Sequence, residues 1–443
     1  MREIPGPGGG AAAVTEAVAE AGGLHNFQLR LHERYGDVAR FEMGGLDLVS
    51  IADPVLLEAT ARVDERPDSL FAFLEPLCEA GNLQTIPEAE HTPWRRLLLS
   101  TLAGRRTHEA YMGRFGELAG ELADRWAARG ARGPVELQQE LSELSLRMIC
   151  EYALGGIGAE DSADVVHAFE TVLTEHLGRM YRPAGSPQDE ARRLARADGA
   201  LEFLRATVDR VLAVHHAGGA HAEGRSDLIA TLADAGVGDA RVRDTVLMIM
   251  LAAHHTTGVS VSWTLYLLGR HPEVAERAVR EIDAVLGDRD APDYGDLRRM
   301  DYLDMVVKEA MRLYTPGPYG ARETAEAIEV GDFTVPAGAT VFYPFWAIHL
   351  NPAYWPDPHT FDPERFTAER SAGRPRLAYV PFGLGPRSCE GAALAMVEAK
   401  LVLAVLLRRL AFTPAPGPEP TPVERFVLWA ADGITMRVAP RTA

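Results

Sequence analysis

The run Phe382-Gly383-Leu384-Gly385-Pro386-Arg387-Ser388-Cys389-Glu390-Gly391 carries a cysteine from a glycine-rich loop into the first turn of an apolar helix. Backbone amides and the helix dipole there favour a thiolate, which is both nucleophile and metal ligand. Gly383 and Gly385 allow a tight loop with amides aimed at sulfur. Arg387 adds a fixed positive charge two residues away, and Gly391 lets a flat, bulky partner approach the backbone. An arbitrary cysteine is most often simple core packing, and that reading is kept for Cys78 and Cys150. Three cysteines make no disulfide framework and suit a reducing compartment.

Three further constellations have the spacing of one helix face. Glu309 and Arg312 lie three apart, at pairing distance. Ala252 and Thr256 lie four apart in a segment, Arg241 to Arg270, that is apolar on nearly every side and so belongs inside a large core. His91 and Arg95 lie four apart in His91-Thr92-Pro93-Trp94-Arg95.

The elements that must position these residues follow from periodicity. Helical periods dominate from His91 to Arg312, in segments near 91–101, 107–129, 139–154, 160–180, 189–217, 226–234 and 240–270, then 272–286, 294–299 and 301–313. Before them, Asn26 to Tyr35 reads as a helix, Val38 to Ile51 as a hairpin turning at Gly44-Gly45, and Asp53-Pro54 as a helix start. After them come short strands at 328–330, 333–335 and 340–343, a proline-rich stretch from Asn351 to Pro386, and a helix near 390–410. The tail from Val427 to Val438, turning at Asp432-Gly433, reads as a hairpin.

Composition bounds the rest. The 443 residues carry 45 Lys plus Arg against 63 Asp plus Glu, a net charge of −18, with 47% hydrophobic residues. That excludes a disordered chain and argues against a nucleic-acid binder, whose footprint is basic. The longest strongly apolar run, Val246 to Ala253, is far shorter than the roughly 20 residues of a membrane span. No apolar leader opens the chain, and a cytoplasmic protein is expected.

Phe382, Gly385, Arg387, Cys389 and Gly391 together resemble the haem-ligand signature of the cytochrome P-450 family. The resemblance spans about residues 25 to 440, with motifs in the family's order. It implies a mainly α fold with small β-sheets, one domain over 1–443 with about 1–24 as an N-terminal extension. Haem b would lie between the long central helix and the helix after the cysteine loop. Cys389 would be the axial ligand, pushing electron density onto iron and favouring O–O cleavage. Glu309 and Arg312 resemble the family's Glu-x-x-Arg pair, and Phe361 to Phe366 supplies Arg365 as third member of a buried structural triad. His91, Arg95, Arg322 and Arg387 resemble the propionate-binding set.

Ala252-Ala253-His254-His255-Thr256 resembles the oxygen-activating segment, Thr256 matching the threonine and Ala252 the small residue facing the haem. Ala253 stands where a glycine is usual, and His255 where an acid is usual. His255 is expected to relay protons; the other reading is a side chain turned away and paired with an acid. His254 is expected to be structural.

The resemblance implies a monooxygenase inserting one oxygen atom from O2 into a hydrophobic small molecule, by hydroxylation or epoxidation. Electrons would come from NAD(P)H through a ferredoxin and ferredoxin reductase, since no flavin domain is fused. A bacterial, soluble, monomeric enzyme of terpenoid or polyketide tailoring is expected, with no nucleic acid and no membrane span. Substrate contacts are expected from Phe71 to Gln84, Met180-Tyr181, Met248 to Thr256, Gly317 to Gly320 and Trp429. Arg95, Arg96, Arg105, Arg106, Arg408 and Arg409 are expected on a basic docking face. Two rivals remain: a peroxide-using, coupling or dehydrating haem-thiolate enzyme, and a haem sensor or carrier without turnover. Thr256 argues against the second, which needs no proton relay.

Overall fold

The computed structural model describes residues 2–441, apart from 82, 85, 155–161, 176–185, 218–227 and 426. Met180-Tyr181 lies outside the described residues. The central helix, Asp239–Arg270, is 32 residues long. It is long and apolar enough to cross a membrane by length and composition, yet 78% of its most apolar window is buried inside the protein. It is the axis of the core.

The helix Gln138–Leu154 crosses the central helix at Gly258. A Cβ added to Gly258 would lie 2.6 Å from the Ser142 amide nitrogen and 2.7 Å from its Cα. Backbone meets backbone there, and only glycine fits. Further along, Trp263 donates to the Leu428 carbonyl (3.1 Å) and stacks on Tyr314 at 3.9 Å. The central helix is thereby tied to two neighbours downstream of Thr256.

The helix Ala392–Arg409 packs against the central helix, and Glu88–Leu102 brings Leu98 and Leu102 to the cavity beside them. The hairpin Val38–Met43/Leu46–Ile51 forms with Gly44 and Gly45 both at positive φ, as a tight right-twisted turn requires. Its second strand pairs in parallel with Thr340–Tyr343, which pairs antiparallel with Gly320–Glu323.

Two readings are corrected. Asp53-Pro54 opens only a 3₁₀ turn, Leu56–Thr60, because the Asp53 carboxylate takes the amides of Val55 and Leu56 (both 2.8 Å) in a local turn. The tail is no hairpin. Val427–Ala430 pairs back with Pro422–Arg425, while Thr435–Pro440 joins Leu410–Pro414 and Val135–Glu136. Gly433 does turn the chain, but the two strands leave for different sheets. Residues 10–21, for which no element was expected, form a helix, Gly10–Ala21, whose Val14 is buried.

Candidate active site

The proximal helix begins at Ala392, so Cys389 sits in the loop before it rather than in its first turn. Gly383 (φ 72) and Gly385 (φ 69) shape that loop, and a Cβ on Gly385 would meet the Ala61 carbonyl oxygen at 2.1 Å. The Cys389 amide donates to the Phe382 carbonyl at 2.8 Å, closing the loop behind the sulfur. Cys389 is exposed, and what it is exposed to is a cavity. Two lobes, about 340 Å³ and about 110 Å³, share Cys389, Glu390, Ala252, Thr256 and Thr257 as lining. Phe382 lines the larger lobe and Gly391 the smaller.

Burial and the neighbouring Glu390 carboxylate push the Cys389 thiol up to about 11, against the pull of the Gly391 amide and Arg95. Burial thus opposes the thiolate that the Gly391 amide favours, and a cation at sulfur would deprotonate a coordinating thiol outright. Arg387 does not supply that charge. Its guanidinium is held by the Asp64 carboxylate and the carbonyls of Leu83 (2.7 Å) and Ile86 (3.3 Å).

The central helix forms the opposite wall. Ala252 is exposed and Thr256 half-buried, both into the cavity, and the Thr256 hydroxyl donates to the Ala252 carbonyl at 2.7 Å. Ala253 lines the smaller lobe, and its carbonyl accepts from Ser145 Oγ at 2.8 Å. His255 does not line either lobe. Its Nε2 lies 4.0 Å from Glu170 Oε1 and its ring stands edge-on to Trp429 at 5.0 Å. Burial, then His254, pulls its pKa down to about 3. Turned from the cavity and neutral, it is not placed to hand a proton across it.

One end of the cavity gathers charge. Arg66, Arg322 and Arg387 line the larger lobe, and Arg95 bonds Glu390 and the Ser388 carbonyl (2.7 Å) beside it. Burial first, then repulsion from Arg322 and Arg387, pulls the Arg66 guanidinium down to about 9. Burial lowers Arg322 too. Four arginines thus face two carboxylates, Asp64 and Glu390, leaving two positive charges uncompensated. His91 is fully buried with neither ring nitrogen hydrogen-bonded, Nδ1 lying 3.7 Å from the Asp64 carboxylate, and burial, then Arg387, pulls it down to about 4. A haem brings two propionates, which is the missing charge, and a flat apolar body for the lobes above Cys389. The residues fit the group.

Arg66 and Asp64 were not singled out by sequence, and nothing in Arg62 to Pro67 marks them. Arg66→Ala is expected to lower haem retention by roughly 1.5–3 kcal/mol, the worth of a hydrogen bond to a charged group. Haem content after dialysis against a haem-binding competitor measures it; unchanged retention refutes the charge count. Glu398 was also missed, although it is the one acid in the apolar run of its helix past Gly391. It lines the smaller lobe, and burial pushes its carboxyl up to about 8. Asp244 was missed as well. Its Oδ2 takes the amides of Glu79 (2.6 Å), Ala80 (2.5 Å) and Gly81 (3.1 Å), holding the loop before Gln84 against the central helix. Of the supposed docking arginines, Arg105 pairs with Glu109, Arg408 with Asp283 and Arg409 with Asp124, which offsets their charge.

The loop that presents Cys389 hangs from the triad. Arg312 forks onto Glu309 through two 2.7 Å bonds and holds the carbonyls of His349 (2.9 Å) and Pro358 (2.7 Å). Arg365 reaches Glu309 at 3.2 Å and holds the carbonyls of Pro356 and Asp357. His349 Nε2 accepts the Val380 amide at 2.9 Å, and burial pulls its pKa down to about 3. Depressed below the unfolded value near 6.5, this group contributes stability fully present above that pH and lost as pH falls toward 3. The loss approaches about 1.4 kcal/mol per pH unit. His349→Gln is expected to flatten the acid limb between pH 6.5 and 4, read from the unfolding midpoint in denaturant at each pH; an unchanged slope refutes it.

A family model for Cytochrome P450 matches residues 10–438. The chain is similar to Cytochrome P450 4c21 of Blattella germanica, 29% identical over 86% of this chain and 81% of that protein. It is similar to Cyclooctatin synthase of Streptomyces melanosporofaciens, 30% identical over 89% and 87%. Cyclooctat-9-en-7-ol 5-monooxygenase of the same organism is 38% identical over 50% of this chain and 49% of that protein. With a thiol facing a threonine across a cavity whose spare charge matches a haem, this chain belongs to the cytochrome P450 monooxygenase family.

Proposed function

We propose that this enzyme oxidises an apolar small molecule of the terpenoid or polyketide kind, as a soluble bacterial monomer in the cytoplasm, fed from NAD(P)H by a ferredoxin and its reductase. The observation that carries this reading is the apolar cavity between Cys389 and Thr256. The two Streptomyces relatives, whose names give cyclooctat-9-en-7-ol and cyclooctatin, support a hydrophobic substrate.

Bound haem supplies the redox chemistry of dioxygen activation. Cys389 would hold its iron, and Arg66, Arg95, Arg322, Arg387 and His91 its propionates. Leu98, Leu102, Ile149 and Met248 line the smaller lobe and exclude water. Phe71, Gly317 and Gly320 border the larger lobe and would meet the part of an apolar substrate that reaches past the haem. The Thr256 hydroxyl donates to the Ala252 carbonyl at the cavity wall, and by turning from that bond would donate into the cavity. It is the proton-positioning group of this chain.

A Soret-shift screen of apolar metabolites, followed by product analysis with ferredoxin, reductase and NAD(P)H, tests the reading. Turnover with peroxide alone would favour the peroxide-using rival; ligand shifts with no product under either regime would favour a sensor. With a substrate in hand, Thr256→Ala is expected to lower product formed per O2 consumed by up to about a hundredfold, the low end of a positioned proton donor's contribution. Unchanged coupling sinks the role.

A further inference from the structure

We propose that Glu170, His254 and His255 form a binding site for a divalent transition metal of the zinc class, outside the haem cavity. Each offers one donor atom, and the three atoms lie within 4.8 Å of one another. His254 Nε2 is 3.1 Å and His255 Nε2 4.0 Å from the same oxygen, Glu170 Oε1. The two imidazoles stack at 4.0 Å with planes 18° apart, so both present an edge to that carboxylate.

A single hydrogen bond does not account for this arrangement. His254 is fully buried, 4.0 Å is too long for a hydrogen bond from His255, and Nδ1 of both rings is buried without a partner. Two imidazoles and one carboxylate are the ligand types of a zinc-class ion, with a fourth place for water. Tetrahedral zinc, with bonds near 2.0–2.1 Å, sets neighbouring donors about 3.3 Å apart. The His254–Glu170 spacing already meets that, and the wider donor pairs, all within 4.8 Å, would close in by up to about 1.5 Å. The Gln139 amide donates to Glu170 Oε1 at 3.4 Å, fixing the carboxylate from outside. Glu170 is about a quarter exposed, which gives an ion a way in.

The ligands span two elements, Glu170 on the helix Ser162–Glu175 and the histidines on the central helix. A bound ion would staple the first to the second, one residue before Thr256. The site stands independently of the substrate reading.

The test uses haem-loaded protein, freed of adventitious metal by chelation and dialysis, titrated with zinc chloride by calorimetry while the Soret band is followed. One saturable equivalent is expected with the Soret band unmoved. Affinity should fall at least about tenfold in Glu170→Gln and in His255→Ala, the loss typical of a disturbed metal shell. His216→Ala, at a surface imidazole paired with Asp239 (3.0 Å), should leave it unchanged. Glu170→Gln removes only a partly exposed charge and keeps the test alive should a histidine variant fail to fold. No saturable binding, equal affinity in Glu170→Gln, loss in His216→Ala, or zinc acting on the Soret band would each overturn the proposal.

Discussion

Arg312→Ala is expected to cost about 3–5 kcal/mol of folding stability, the penalty for stranding a buried partner charge. Both Glu309 and Arg312 are wholly inaccessible, so water cannot replace the lost fork. The carboxylate of Glu309 would keep only Arg365 and the Asp362 amide. The carbonyls of His349, Pro358 and Thr360 would lose a shared donor at once, loosening the irregular chain between Asn351 and Pro386. Lysine does not rescue the position, because a point charge lacks the planar fork that reaches two oxygens on one side and carbonyls on the other. Denaturant unfolding of the purified variant measures the loss. A change below about 1 kcal/mol would mean that the triad is a surface-like pair, which its burial denies.

Cys389→Ala is expected to abolish the reduced carbon monoxide band at the thiolate position while costing little stability. The sulfur faces the cavity rather than packed core, so its removal opens no new void in close-packed protein. The loop keeps its shape through Gly383, Gly385 and the bond from the residue 389 amide to Phe382. Haem could still enter, held by the arginine cluster alone, and would then lack its thiolate signature. A thiolate-type band persisting in this variant would remove Cys389 from the ligand role. Collapse of the fold would show instead that the side chain serves packing.

Much of the fold could be read from pattern. The helices near 107–129, 139–154 and 301–313 appear close to their expected bounds, as Arg105–Gly130, Gln138–Leu154 and Asp301–Leu313, because amphipathic periods are local information. The tail strands failed for the opposite reason. Their partners lie far off in sequence, at Leu410–Pro414 and Val135–Glu136, and no local period encodes that choice. The same divide runs through the site. Cys389, Glu309 and Thr256 carry spacing that can be recognised, whereas Arg66 and Asp64 acquire their meaning only when folding buries them beside Arg387. His255 shows a third kind of limit: its position on the helix was legible, but which way its ring turned depended on Glu170, on another helix.

The backbone contact at Gly258 makes the central helix a lever with a very short inner arm. At about 1.5 Å per residue, Thr256 lies roughly 3 Å from this fulcrum, while Asp244, with the loop at Glu79 to Gly81 in its grip, lies roughly 21 Å away. A tilt that swings the Asp244 end by a given distance displaces Thr256 by about one seventh of it. A rigid tilt of ångströms at the Asp244 end would therefore leave the Thr256 hydroxyl within a few tenths of an ångström of its place.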